Sequence, residues 1–198
     1  MAEIAASRRL IWVPILHTPE DLGELRESAR GMYSRRHGRG AWEAYARAAG
    51  QFWLEARRRI ERLGLAKPTT RLYQDALPEC GFEEKIVREL AAKGGANYRL
   101  LVDLMARGAM LTGTESPRLL AEEYELQRAI LTGVPPVDAV ERAAALLDAR
   151  DRFIARRIDE TLRAEESGVI FLGMAHSLTG RLPDDVAIER IDIVAAPR

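Results

Sequence analysis

Cysteine is nearly missing from this sequence. Cys80 stands alone among 198 residues, so no disulfide can close within the chain, and a reducing, cytoplasmic setting is the simplest expectation. Long apolar runs are missing too: none approaches the ~20 residues that a membrane-spanning helix needs. The start, "MAEIAASRRLIWVPIL", lacks the basic head, apolar run and small-residue cleavage site of a signal peptide. Neither sign of charge is in excess, with 30 Lys plus Arg against 30 Asp plus Glu. That balance gives no global attraction to nucleic acid or to an anionic membrane, and neither is expected as a partner. Phosphate loop, G-x-G-x-x-G, G-x-S-x-G elbow and paired C-x-x-C are all absent, which leaves kinase, dinucleotide and serine-hydrolase chemistry without support. There is no linker, low-complexity tract or clear repeat to divide the chain.

What is present is a core. Hydrophobic residues make up 47% of the chain, enough for one α/β domain over 1–198. Residues 8–16 read as a buried strand. "HTPED" opens a helix to about residue 34, with Thr18 as N-cap and Pro19 at the first helical position. "RRHGRG" (35–40) reads as a basic loop. In 41–63, Trp42, Tyr45, Ala49, Phe52, Ala56, Ile60 and Leu63 recur by threes and fours, which makes one apolar helical face. The stretch at about 19–64 is expected to be a helical insertion. Further on come a strand at 71–77, helices at 82–93 and 97–107, and a short strand at 109–114. Ser116 and Pro117 repeat the cap signal before a helix to Leu131, and a long helix follows over 136–166. "GVIFLGMA" (168–175) reads as a buried strand and 185–194 as an edge strand. Strands alternating with helices predict a parallel or mixed central sheet of about five strands with helices on both faces.

Three polar residues close predicted strands: His17 after "LIWVPIL", Glu115 after "AMLTGT" and His176 after "GVIFLGMA". Ligands of open α/β sheets bind beyond the carboxyl ends of the strands, so all three are expected to face one cleft there. Imidazole and carboxylate are ligands for Zn, Mn or Fe and also serve general acid–base catalysis. A lone strand-end histidine is more often a hydrogen-bonded structural residue; the coincidence of three is what raises the functional reading.

A fourth residue comes from periodicity. The stripe Val137, Val140, Ala144, Leu147, Ile154, Ile158 and Leu162 requires one more inward residue, and that residue is Asp151. A carboxylate in an apolar stripe must be paired or hydrogen-bonded. It is expected to be buried, bonded either to a strand-end backbone group or to a histidine that it orients. Four residues rank lower. His37 lies in the basic loop, Asp75 competes with Pro78 for the end of its strand, and Asn97 and Tyr98 look like cap and packing.

"FLGMAHSL" resembles the C-terminal G-x-x-H motif of the Tiki/TraB/ChaN/erythromycin-esterase-like superfamily, with Gly173 and His176 in its places. "ARDRFIARRIDETL" is similar to that family's R-[ND]-x-x-[MI]-A helix through Arg150, Asp151, Ile154 and Ala155. "LTGTES" resembles its strand-end glutamate segment at Glu115. "WVPILHTP" resembles its N-terminal G-x-x-H, although Pro14 stands where the glycine belongs. The resemblance implies an α/β fold whose cleft is built from two histidines, a glutamate and an arginine. Its members include metal-dependent peptidases, hydrolases with a histidine base, and a haem-binding branch.

The expectation is therefore a hydrolase of a small-molecule or peptide substrate, with His17, Glu115, Arg150 and His176 as its catalytic residues. His17, Glu115 and His176 would hold a divalent metal (Mn, Zn or Fe) that activates water, or one histidine would act as base. Arg150 would pair with Glu115 or steady an oxyanion, and Asp151 would stand behind the histidine. The alternatives are a haem- or metal-binding protein without catalysis and a degenerate, inactive member of the family. The apolar face of 41–63 is read as core, with a homodimer contact as the other option.

Overall fold

A computed structural model gives the fold, and the structure describes residues 8–21, 26–65, 67–191 and 193. Five parallel strands form one sheet in the order β3-β2-β4-β1-β5. They are β1 (Arg8–Pro14), β2 (Thr70–Gln74), β3 (Met110–Leu111), β4 (Ser167–Leu172) and β5 (Val186–Arg190). Six helices connect them: α1 (Arg26–His37), α2 (Ala41–Arg62), α3 (Glu83–Ala92), α4 (Ala96–Ala106), α5 (Pro117–Leu131) and α6 (Ala139–Thr161). The fold is thus α/β.

Alternation along the strands divides the core in two. Ile11, Val13, Leu72, Val169 and Phe171 face Phe52, Trp53, Ala56 and Ile60 of α2, Val87 of α3 and Leu101 and Leu104 of α4. Leu10, Tyr73, Ile170 and Leu172 face Ile154, Ala155 and Ile158 of α6. Of the helices in the stretch expected as an insertion, α1 has no buried residue, whereas α2 lies on the sheet.

The strand order explains the two layers. From β1 to β2 to β3 the chain steps one way across the sheet; from β3 to β4 to β5 it steps back. Crossovers of one handedness that run in opposite directions place their helices on opposite faces. The connections leaving β2 and β4, which are neighbours, diverge to opposite sides and open a crevice between their carboxyl ends.

Several boundaries differ from the sequence expectation. The contact at Thr18 is the reverse of the expected cap: its N–H and its hydroxyl both donate to Asp21 Oδ2, at 2.6 and 3.1 Å, and the hydroxyl takes no backbone N–H among the described residues. It begins a single turn over 19–21, while α1 starts at Arg26 and runs through the expected basic loop to His37. Residues 22–25 of that expected helix lie outside the described residues, as do 192 and 194 of the last expected strand. The strand expected over 109–114 is only Met110–Leu111 long. Beyond it, Thr114 Oγ1 takes the Gln74 N–H at 2.9 Å and replaces the ladder.

Helix α6 covers 139–161 rather than 136–166, and Val137 and Val140 are exposed rather than core. The reason is register: Arg150 and Asp151 already stand at the strand ends, so the preceding turns overhang the sheet, where they pack on α5 and Asp148 accepts a bond from Arg181. No described helix is long and apolar enough to cross a membrane.

Candidate active site

The crevice between β2 and β4 gathers a cluster of buried ionisable side chains. Asp75 follows β2 directly, and its N–H still bonds the Phe171 carbonyl of β4 at 2.8 Å. The chain then turns through Ala76 at φ 59°. This left-handed conformation costs an alanine roughly 1–2 kcal/mol, and it aims the Ala76 N–H at Glu115 Oε1, 2.8 Å away. Across the crevice, Gly173 follows β4 and donates its N–H to Asp75 Oδ2 at 3.0 Å. A Cβ on Gly173 would stand 3.0 Å from that same oxygen, so the glycine of the G-x-x-H segment is what lets Asp75 approach.

A turn closed by His176 N–H to the Gly173 carbonyl, 3.2 Å, swings the histidine back over the strand ends. There His176 Nδ1 lies 2.6 Å from Asp151 Oδ1, and Asp151 Oδ2 accepts the Ser177 N–H at 3.0 Å. Asp151 is 3% exposed, as the gap in the apolar stripe of α6 requires. The other ring nitrogen, Nε2, faces Asp75 Oδ1 at 3.5 Å, too far for a hydrogen bond.

Arg150, one residue before Asp151, points to the neighbouring carboxylates. Its Nε bonds Glu115 Oε2 and its Nη2 bonds Glu115 Oε1, both at 2.6 Å. Nη2 also reaches Asp75 Oδ1 at 2.7 Å, and Nη1 reaches Glu123 Oε2 of α5 at 2.6 Å. One guanidinium thus holds three carboxylates in place.

Charge follows from this packing. Burial works against ionisation of Asp75, yet His176 and then Arg150 hold its carboxyl well below the usual range. Burial pulls the His176 imidazole down, but Asp75 and then Asp151 carry it above its ordinary value. Burial raises the Glu115 carboxyl against the pull of Arg150.

Asp75, Glu115 and His176 each offer one ligand atom, and the three atoms lie within 4.8 Å of one another. This group could hold a metal ion. It shares Glu115 and His176 with the set expected from the sequence, and it has Asp75 where His17 was expected. His17 lies on the same carboxyl edge and lines a cleft of about 660 Å³ in front of Asp75 and Arg150. It is exposed and outside the metal-competent group.

Asp75 carried the same signal as Glu115, a carboxylate closing a strand, but Pro78 offered a competing end. Glu123 gave no signal, since nothing in an exposed helix marks which glutamate will meet a guanidinium. The lower-ranked Asn97 and Tyr98 both line the cleft. His37 stacks on Tyr33, with ring centres 4.4 Å apart, at the end of α1. No family model, curated protein or solved structure matches the chain.

Proposed function

We propose that this protein is a hydrolase in which Asp75, Glu115 and His176 hold a divalent cation at the floor of the cleft. The observation that carries the reading is their convergence within 4.8 Å at the carboxyl edge of the sheet. The donor set suits the cation. Two carboxylates and an imidazole match Mn, Zn or Fe, and His176 Nε2 has no short hydrogen bond. A carboxylate oxygen carries two lone pairs, so Asp75 and Glu115 can keep their bonds to Arg150 and still serve as ligands.

Bound there, the cation would polarise water and the substrate carbonyl. The chain's own residues do the rest. Asp151 fixes the ring of His176 and aims Nε2 into the group, as carboxylates behind metal-bound histidines do. Arg150 keeps Glu115 and Asp75 together and neutralises part of their repulsion. Asp75, kept ionised by His176 and Arg150, would serve as an anionic ligand, and the proton of the attacking water would leave to solvent in the open cleft. His17, exposed on the rim, would meet the leaving group.

Titration of the purified protein with Mn²⁺ and Zn²⁺, beside assays on chromogenic esters and peptides with and without chelator, tests this. One ion bound per chain, and turnover that the chelator abolishes, is the expected result. Binding should be lost in Asp75→Asn and His176→Ala. Turnover that survives chelation but not His176→Ala would make the histidine itself the base. No turnover under any condition overturns the hydrolase reading. A second reading, a haem-binding protein without catalysis, draws on one observation: His17 offers an exposed imidazole on a cleft that also has Ile15, Leu90 and Tyr98 in its walls. A Soret band in the purified protein, lost in His17→Ala, would favour it.

A further inference from the structure

Among the charged residues that line the cleft in front of Asp75, the acids Glu20, Asp21, Asp75 and Glu123 outnumber the cations Lys93 and Arg150. Gln74 is 1% exposed and Asn97 3%, yet both form part of its wall. Gln74 Nε2 donates to the Asp75 carbonyl at 3.0 Å, and Asn97 Nδ2 donates to Gln74 Oε1 at 3.2 Å. This chain fixes which way each amide points. Each NH2 group is thus engaged within the wall, and Asn97 Oδ1 has no hydrogen-bond partner among the described residues. That oxygen is not among the buried unpaired atoms, so it keeps some exposure and an N–H donor entering the cleft can meet it.

Charge points the same way. Glu20 stands exposed on the rim, and Asp75 and Glu123 are shared with Arg150, whose guanidinium is already divided among three carboxylates. Asp21 adds a buried Oδ1 with no partner among the described residues. It packs against the start of α4, only 3.1 Å from where a Cβ on Gly95 would stand. Against these acids the wall sets Lys93 and His17, both exposed. Tyr98 registers the resulting field: burial first, then Asp75 and Asp21, push its hydroxyl up to about 12, so it stays protonated.

We propose that this cleft takes a substrate bearing a protonated amine, whose N–H groups meet Asn97 Oδ1 and whose charge is balanced by Glu20 and Asp21. The inference rests on the hydrolase reading for what becomes of the substrate, but not for its binding. Asn97 and Glu20 are specificity determinants here, not catalytic residues.

The test uses three probes of one shape: benzylamine, benzyl alcohol and benzoate, titrated into the full chain at neutral pH. Benzylamine should bind ~tenfold or more tightly than benzyl alcohol, the factor of one charge-assisted hydrogen bond, and benzoate least of all. Asn97→Leu and Glu20→Lys should each weaken benzylamine while leaving benzyl alcohol unchanged. Should Asn97→Leu fail to fold, the exposed Glu20→Lys decides alone.

Equal binding of the three probes, or benzylamine affinity unmoved in the folded variants, overturns the proposal. The two readings fail separately. Benzylamine binding without any turnover by the metal-loaded protein sinks the hydrolase and leaves the amine site. Turnover of neutral esters with no preference for amine-bearing ones does the reverse.

Discussion

Arg150 and Glu115 meet side-on, with Nε on Oε2 and Nη2 on Oε1 at 2.6 Å each, although 35 residues separate them. Glu115 is fully buried and Arg150 is 5% exposed. The pair ties α6 to the chain after β3 and fixes where the carboxylates stand. Removing one partner of a buried pair leaves an uncompensated charge. Arg150→Met should therefore cost ~3–5 kcal/mol in urea unfolding. Adding Glu115→Gln should recover part of that loss, since the most deeply buried of the three stranded carboxylates is then neutral. Equal stability of the parent and Arg150→Met would show that the cluster finds its neutralising charge elsewhere.

Asp151 has two partners that nothing else replaces, His176 Nδ1 and the Ser177 N–H. Asp151→Ala should lower stability by ~1–3 kcal/mol through the donors left unsatisfied. It should also weaken metal binding by ~10–100-fold, the usual effect of losing a carboxylate behind a ligating histidine. A melting temperature equal to the parent's would show that the Asp151 bonds contribute nothing to the fold.

Acid stability is set partly away from the site. Arg71 grips Glu166 with two bonds, 3.0 and 2.9 Å, and holds the Glu166 carboxyl below its ordinary value of 4.5. A group whose folded value is depressed adds stability above the unfolded value and loses it as pH falls through the folded one. The stability gap between the parent and Glu166→Gln should therefore be constant near neutrality and shrink below about pH 4.5. A gap that widened on acidification would contradict this ion pair.

How much of this was legible beforehand depended on the kind of signal. The β4 segment "GVIFLGMA" and the stripe of α2 carry strong apolar periodicity, and both appear within a few residues of where the pattern put them. Asp151 was legible for the same reason in reverse, as a polar gap in an apolar period. The periodicity failed at Val137 and Val140, because a stripe says which face is apolar but not how far the sheet beneath it extends. The role of Asp75 depends on Ala76 at φ 59°, a backbone state that the sequence "QDALP" does not announce. Tertiary hydrogen bonds, such as Thr114 Oγ1 replacing the β3 ladder, leave no local pattern at all.

Gly173 separates geometry from stability most cleanly. Its φ is not in the left-handed region, so alanine can adopt the backbone there without strain. What alanine adds is a methyl 3.0 Å from Asp75 Oδ2, the oxygen that bonds the Gly173 N–H. The carboxylate must then give by a few tenths of an ångström, which loosens the group it forms with Glu115 and His176. Gly173→Ala should cost only ~1 kcal/mol of stability, the low end of the cost of overpacking a close contact. Binding of Mn²⁺ or Zn²⁺ should nevertheless weaken, while His176→Ala loses it by removing a ligand outright. Calorimetric titration of Gly173→Ala beside its thermal melt checks both halves. A variant that binds metal as the parent does would show that Asp75 is not one of the ligands, and the proposed cation site would have to be rebuilt without it.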